Sequence, residues 1–194
     1  MATILVTGGC GYIGSHTLVD LIEHGFDVIS IDDLSRSSAY SLTGIEKITG
    51  KRIKNYTVDL KNFDETLAVF QENNDITGII HFAAYKAVGE SVEEPLSYYE
   101  NNLFSLVNLL RCADEFQVPH FVFSSSCTVY GSPADVPVTE NTPWQTAESP
   151  YGATKQMGET IVQDVYRQGA GAAILLRYFN PAGAHPSALL GRAR

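Results

Sequence analysis

Positive charge is scarce in this sequence. Thirteen lysines and arginines stand against 22 aspartates and glutamates, a formal net charge of −9. That balance argues against nucleic acid or an anionic membrane as the main partner. A small anionic ligand is not excluded, because backbone amides and a few local cations can outweigh the global charge. Cysteine is sparse as well. Cys10, Cys112 and Cys127 are odd in number and share no metal-ligand spacing, so no metal site is expected and the thiols suggest a reducing compartment. No stretch approaches the ~18 uninterrupted apolar residues of a membrane-spanning helix. The opening MATILVTGG lacks a basic region and has too short an apolar run for a secretory signal. A cytoplasmic protein is the expectation. Repeats, low-complexity tracts and linker-like boundaries are also lacking, and 194 residues suit one domain with a sizeable core.

What the sequence does contain is alternation. Short apolar runs at 4–7, 27–32, 52–58, 78–83, 120–125 and 172–178 read as six strands. Helical patterns at 12–24, 40–49, 63–73, 95–116 and 152–168 lie between them. The strands show little polar alternation, as expected when both faces of a sheet are covered. Strand–helix alternation implies right-handed crossovers and an α/β fold with a doubly wound, Rossmann-type parallel sheet of about six strands flanked by helices. The loop at 131–150 carries four prolines and is long enough to suggest function or mobility.

The first strand runs straight into TGGCGYIGSHT. Gly9, Gly11 and Gly14 match G-x-G-x-x-G, and Gly8, Gly11 and Gly14 match G-x-x-G-x-x-G. Either pattern permits a tight turn and close approach of a pyrophosphate, with a helix start presenting free N–H groups behind it. Glycines also serve ordinary turns, but here a strand precedes and a helix follows. Asp32 ends the second strand, 18 residues beyond Gly14, where a carboxylate can accept from adenosine ribose hydroxyls. Asp33 adjoins it, and two carboxylates would repel a 2′-phosphate, so NAD is expected over NADP, although Arg36 close by complicates the point.

Tyr151 and Lys155 are four residues apart at a helix start signalled by Ser149 and Pro150, and so share a helix face. A nearby cation favours a phenolate and lowers a tyrosine pKa from about 10. Such a pair could serve as a base, and the spacing alone would equally suit an exposed polar pair. Ser124, Ser125 and Ser126 end the fifth strand at the carboxyl edge, where open α/β sheets bind ligands. Serines there also cap backbone groups in many proteins.

Ser126, Tyr151 and Lys155 together resemble the short-chain dehydrogenase/reductase superfamily, in its extended branch acting on nucleotide sugars. The stretches VTGGCGYIGSHT, HFAAYKAVGES, PLSYYENN, FSSSCTVYG, SPYGATK and RYFNPAGAHPS narrow the resemblance to the UDP-glucose (UDP-galactose) 4-epimerases, across the chain to about Gly191. KAVGES and RYFNPAGAHP are the most specific. Related dehydratases carry Thr-Asp-Glu after the fifth strand, where this chain has Ser126, Cys127 and Thr128, so dehydration is disfavoured.

The resemblance implies interconversion of UDP-glucose and UDP-galactose, a step of galactose metabolism, with NAD as cofactor. Tyr151 would be the base, Lys155 would lower its pKa and bond the nicotinamide ribose, and Ser126 would hold the sugar 4-oxygen. Cofactor contacts are implied at Gly8, Gly11, Tyr12, Ile13 and Gly14 in the first loop, and from Asp32 and Asp33 through Leu34, Ser35, Arg36 and Ser37 in the second. Further contacts are implied at Asp59 and Leu60, at Phe82, Ala83, Ala84, Tyr85 and Lys86, and at Asn101, Ser124 and Phe179. Lys86 and Asn180 join Ser126 and Tyr151 as implied substrate contacts. Taken alone, Asn101 would be a helix-face amide and Lys86 a solvated loop cation.

The stripes Tyr99, Leu103, Leu106, Leu110 and Ala113 on one helix, and Met157, Ile161 and Val165 on another, suit either core or contact with a second copy. In the resembling family the two helices form a homodimer interface. The resembling enzymes continue with a mostly C-terminal domain that closes over the nucleotide-sugar, whereas this sequence stops at HPSALLGRAR and departs from the family pattern over 191–194. The expectation is an NAD-binding Rossmann domain over 1–194, with the nucleotide-sugar domain largely absent. Phe179, Pro181, Leu189 and Leu190 would then stand exposed, and the chain would be poorly soluble or self-associate, bind NAD with weakened affinity and turn over UDP-galactose very slowly or not at all. A dinucleotide-binding module without turnover, or a relative acting on UDP-N-acetylhexosamines or UDP-uronic acids, are the alternatives.

Overall fold

The computed structural model describes residues 2–167 and 171–191. Six strands form one sheet: β1 (Thr3–Thr7), β2 (Asp27–Ile31), β3 (Lys54–Tyr56), β4 (Ile76–His81), β5 (His120–Ser126) and β6 (Ala172–Tyr178). Their order is β3-β2-β1-β4-β5-β6, and every neighbouring pair is parallel. Seven α-helices connect them: α1 (Tyr12–Glu23), α2 (Tyr40–Thr49), α3 (Phe63–Glu72), α4 (Val88–Glu93), α5 (Pro95–Tyr99), α6 (Ser105–Glu115) and α7 (Pro150–Tyr166). This is the doubly wound, Rossmann-type arrangement expected from the alternation.

The residue alternation of β1 shows why both sheet faces are apolar. Leu5 and Val6 point to opposite faces and are both fully buried. Leu5 packs with Ile29, Ile79, Phe121 and Phe123 against Leu106, Leu109 and Val162 of α6 and α7. Val6 packs with Leu18, Val19 and Ile22 of α1 and Ile45 of α2. Each such side chain taken out of water contributes about 1.5–3 kcal/mol. Local signals set the helix starts. Asn62 accepts from Glu65 N at 3.3 Å, with Asp64 and Glu65 complementing the dipole of α3. Ser149 accepts from Gly152 N at 3.1 Å, and Pro150 takes the first position of α7.

The expected helix over 95–116 is not continuous. It begins as α5, passes through a π-helical turn over Glu100–Phe104, and continues as α6. A separate short helix, α4, precedes it and was not anticipated. Glu94 divides the two at φ −126° and ψ 61°, because the residue before a proline is pushed out of helical geometry. The π turn replaces i→i+4 bonds with i→i+5 bonds over Glu100–Phe104, a local change in bonding that the apolar pattern on either side does not reveal. Residue 168 of the expected last helix and the departure at 192–194 lie outside the described residues.

Leu190 corrects another expectation. It is buried against α2 and belongs to the cluster around Val6 and Leu18, since the chain after β6 doubles back across the sheet edge. Phe179, Pro181 and Leu189 are exposed as expected. Among the described residues no helix is long and apolar enough to cross a membrane.

Candidate active site

The strand order reverses between β1 and β4, and at that point the carboxyl ends of the strands open into a cavity of about 490 Å³. Ligands of open α/β sheets bind at this kind of switch point. The loops after β1, β2, β3, β4, β5 and β6 all reach it, as do Asn101 and Ser105 and the first turn of α7. Every site residue singled out above lines the cavity except Gly11, Leu34 and Ser37. Gly11 is the N-cap of α1, and its backbone is committed to the loop: its N donates to Gly8 O and its O accepts from Ser15 N. Leu34, at φ +62°, donates its N to Asp32 Oδ1 at 3.0 Å. Ser37 Oγ donates to the same oxygen at 2.6 Å. Both brace Asp32 from outside the cavity.

The loop after β1 can take no side chain at two positions. Gly8 sits at φ +69°, and a Cβ there would lie 2.8 Å from Ala83 N. A Cβ on Gly14 would lie 2.2 Å from Gly8 O, so helix and loop touch through bare backbone. The first turn of α1 has neither a capping side chain nor an acidic residue. Its leading N–H groups, with Tyr12 and Ile13 on the cavity wall, suit a pyrophosphate. Asp32, buried at the end of β2, accepts from Cys10 N at 2.9 Å as well as from Leu34 and Ser37. A carboxylate has about four acceptor sites, so one remains for a ribose hydroxyl. These features fit a dinucleotide.

At the other end of the cavity Lys155 is buried and its Nζ donates to Ser124 O at 2.6 Å. The ammonium lies 4.9 Å from the Phe123 ring centroid and 5.8 Å from that of Tyr151. Burial pushes its pKa down to about 8, and the carboxylate of Glu159, one turn further along α7, pulls the other way. The Tyr151 phenol departs from expectation. Its pKa is raised, chiefly by burial, with the hydrogen-bonded Ser126 hydroxyl opposing the rise. The lysine does not offset the desolvation, because its charge is turned to Ser124 O rather than to the phenol. Ser126 Oγ also accepts from Thr128 N at 3.2 Å, which fixes the turn after β5.

Four residues that sequence reasoning passed over, Asn102, Glu159, Arg177 and His81, hold this end together. Asn102, buried in the π turn, accepts from Tyr85 N at 2.8 Å and donates to Tyr85 O at 2.9 Å and Thr154 Oγ1 at 3.1 Å. It ties the loop after β4 to α7. Glu159, fully buried, accepts from Ser125 Oγ and from Arg177, whose Nη2 is at 2.8 Å and Nε at 2.9 Å. Its place one turn from Lys155 was the available clue. His81 bonds Thr7 Oγ1 at 2.7 Å and stacks on Phe123. Burial, with the Lys155 charge second, pulls its pKa to about 3, so it is a neutral packing group. Among the described residues no cluster of His, Cys, Asp or Glu could hold a metal ion.

Known proteins share this architecture. The profile of the NAD dependent epimerase/dehydratase family matches residues 4–193. A UDP-glucose 4-epimerase of Schizosaccharomyces pombe is 49% identical over 194 residues, covering 97% of this chain and 54% of that protein. The UDP-glucose 4-epimerase of Bacillus subtilis is 49% identical over 189 residues, covering 97% and 55%. The crystal structure of the Bifidobacterium longum UDP-glucose 4-epimerase with NAD+ and UDP superimposes with a TM-score of 0.95 at 47% identity, covering 98% of this chain and 57% of that one. The chain thus spans about half the length of the curated relatives it matches. With the glycine loop, the reversed strand order and nearly the whole sequence in agreement, the chain belongs to the NAD dependent epimerase/dehydratase family.

Proposed function

We propose that this chain is the cofactor-binding and proton-transferring part of an NAD-dependent UDP-glucose 4-epimerase. One observation carries the reading: Tyr151, Ser126 and Lys155 converge at the same cavity as the uncapped start of α1 and the Asp32 carboxylate. Chemistry at a secondary alcohol and a dinucleotide grip therefore share one space. Relatives of this sequence are UDP-glucose 4-epimerases, and one was crystallised with NAD+ and UDP.

NAD, when bound, supplies a hydride acceptor and a fixed positive charge. The start of α1 would hold the pyrophosphate and Asp32 the adenosine ribose. Lys155 spends one of its three donors on Ser124 O and has two to offer the nicotinamide ribose. Ser126 and Tyr151 receive the sugar 4-hydroxyl between them. Tyr151 would take the hydroxyl proton during oxidation at C4 and return it when the resulting carbonyl is reduced again from its opposite face. Burial keeps the phenol protonated at rest, and a positive charge entering the cavity favours the phenolate. Asn180 and Lys86, which both line the cavity, would grip the nucleotide-sugar. No Asp-Glu pair follows Ser126, which favours epimerisation over loss of water.

Residues 1–194 would constitute the NAD-binding domain, working with a second domain on the nucleotide-sugar. Leu96, Phe104 and Val107 around α5 and α6, and Met157 and Val165 on α7, are exposed apolar residues, which supports a homodimer built on these helices. Three free cysteines support a cytoplasmic site of action in galactose metabolism. The test is turnover: the chain should convert UDP-galactose to UDP-glucose slowly, and only with NAD present. NAD bound without any conversion would reduce the proposal to a binding module.

A further inference from the structure

Arg36 is the one basic residue in the β2–α2 loop, and it does not face the cavity as an unpaired cation. Its Nη1 donates to Glu90 Oε2 at 2.7 Å and its Nη2 to Oε1 at 2.8 Å, a two-pronged bond to α4. The guanidinium also lies over the Tyr85 ring, 4.1 Å from its centroid. Glu90 is held from beneath: the hydroxyl of Tyr98, a fully buried residue, donates to Oε2 at 2.6 Å and accepts from Ala87 N at 3.0 Å. Tyr85 and Tyr98 meet edge-on at 5.6 Å. An exposed ion pair between two flexible side chains is worth little. Here the carboxylate is anchored by a buried phenol and the guanidinium by a ring, so the pair is set in place before any ligand arrives. Its arginine lines the cavity together with Asp32, Asp33 and Ser35.

In dinucleotide sites of this topology, an acidic residue at the end of β2 receives the ribose 2′-hydroxyl, while an arginine nearby accommodates a 2′-phosphate. This loop has both. We propose that Glu90 is a specificity-determining residue, which occupies the Arg36 fork, denies it to the 2′-phosphate of NADP, and so sets the chain's preference for NAD. Asp32 and Asp33 repel the phosphate, and Glu90 removes the cation that would offset them. The inference rests on the proposed dinucleotide reading of the cavity.

The experiment is calorimetric titration of the chain and its variants with NAD and NADP at one ionic strength. Glu90→Gln keeps an acceptor for Tyr98 but breaks the charge pair. It should tighten NADP about tenfold or more, the scale of a charge-assisted bond, and change NAD less than about threefold. Arg36→Met added to Glu90→Gln should abolish the NADP gain. Tyr98→Phe loosens the anchor and leaves the pair, so its NADP gain should be smaller. An unchanged NADP affinity in Glu90→Gln, or a gain that survives Arg36→Met, overturns the inference while NAD binding persists. Failure of every form to bind NAD would instead overturn the dinucleotide reading beneath it.

Discussion

Arg177→Met should be among the most damaging single changes near the site. Glu159 has no solvent exposure, and Arg177 supplies its countercharge through Nε and Nη2. Methionine fills much of the same space but leaves the buried carboxylate with the Ser125 hydroxyl as its hydrogen-bond donor and only the more distant Lys155 charge. Breaking a buried pair in this way costs about 3–5 kcal/mol. For a domain of this size that lowers the melting temperature by roughly 6–20 °C. Adding Glu159→Gln removes the stranded charge and should restore at least half the loss, because a neutral amide can still meet Ser125. Urea unfolding at neutral pH followed by circular dichroism reads both changes. A single variant within about 1 kcal/mol of the parent, or a double variant no better than the single, would refute the claim that Arg177 neutralises Glu159.

Gly14→Ala places a Cβ 2.2 Å from Gly8 O, and because that neighbour is backbone the loop must shift. Titration should show NAD binding weakened by at least about tenfold, with stability down by about 1–3 kcal/mol. Tyr151→Phe keeps the ring and removes the proton carrier, so turnover of UDP-galactose should fall by ~10²–10⁴-fold, with NAD affinity little changed in the same preparation. Acid should unfold the chain partly through His81, whose pKa of about 3 in the fold lies below the ordinary value of 6.5. A depressed folded value means the unfolded chain binds the proton first, so stability is lost as pH falls from 6.5 towards 3. At about 1.4 kcal/mol per unit, the loss reaches roughly 3 kcal/mol near pH ~4.5. Urea midpoints across that range should fall less steeply for His81→Asn.

The fold was legible because its signals are local and repeated. Every strand but β3 is a short apolar run, the longer helices carry an apolar period, and the glycine loop sits where one passes into the other. The cavity residues were legible for a related reason, since the topology sends the end of every strand to one edge. What stayed hidden depends on partners distant in sequence. Nothing in the neighbourhood of Glu90 says that Arg36 lies against it, 54 residues away. Asn102 and its neighbour Asn101 are the same residue type in sequence, yet one amide is buried in the π turn and the other lines the cavity wall. The Tyr151 pKa was misjudged because spacing places the lysine on the same helix face but does not report burial, and burial dominates. Leu190 was expected to be exposed because the chain's return across α2 leaves no pattern in HPSALLG.

The most direct test of the central claim follows the hydrogen at C4. UDP-galactose carrying deuterium at C4 is incubated with the chain and NAD in ordinary water, and the UDP-glucose formed is examined by NMR and mass spectrometry. If Tyr151 handles only the hydroxyl proton while the C4 hydrogen leaves and returns as hydride, the deuterium stays on C4 of the product. Conversion in which solvent hydrogen replaces the deuterium would contradict the account, because it would mean a proton was taken from carbon.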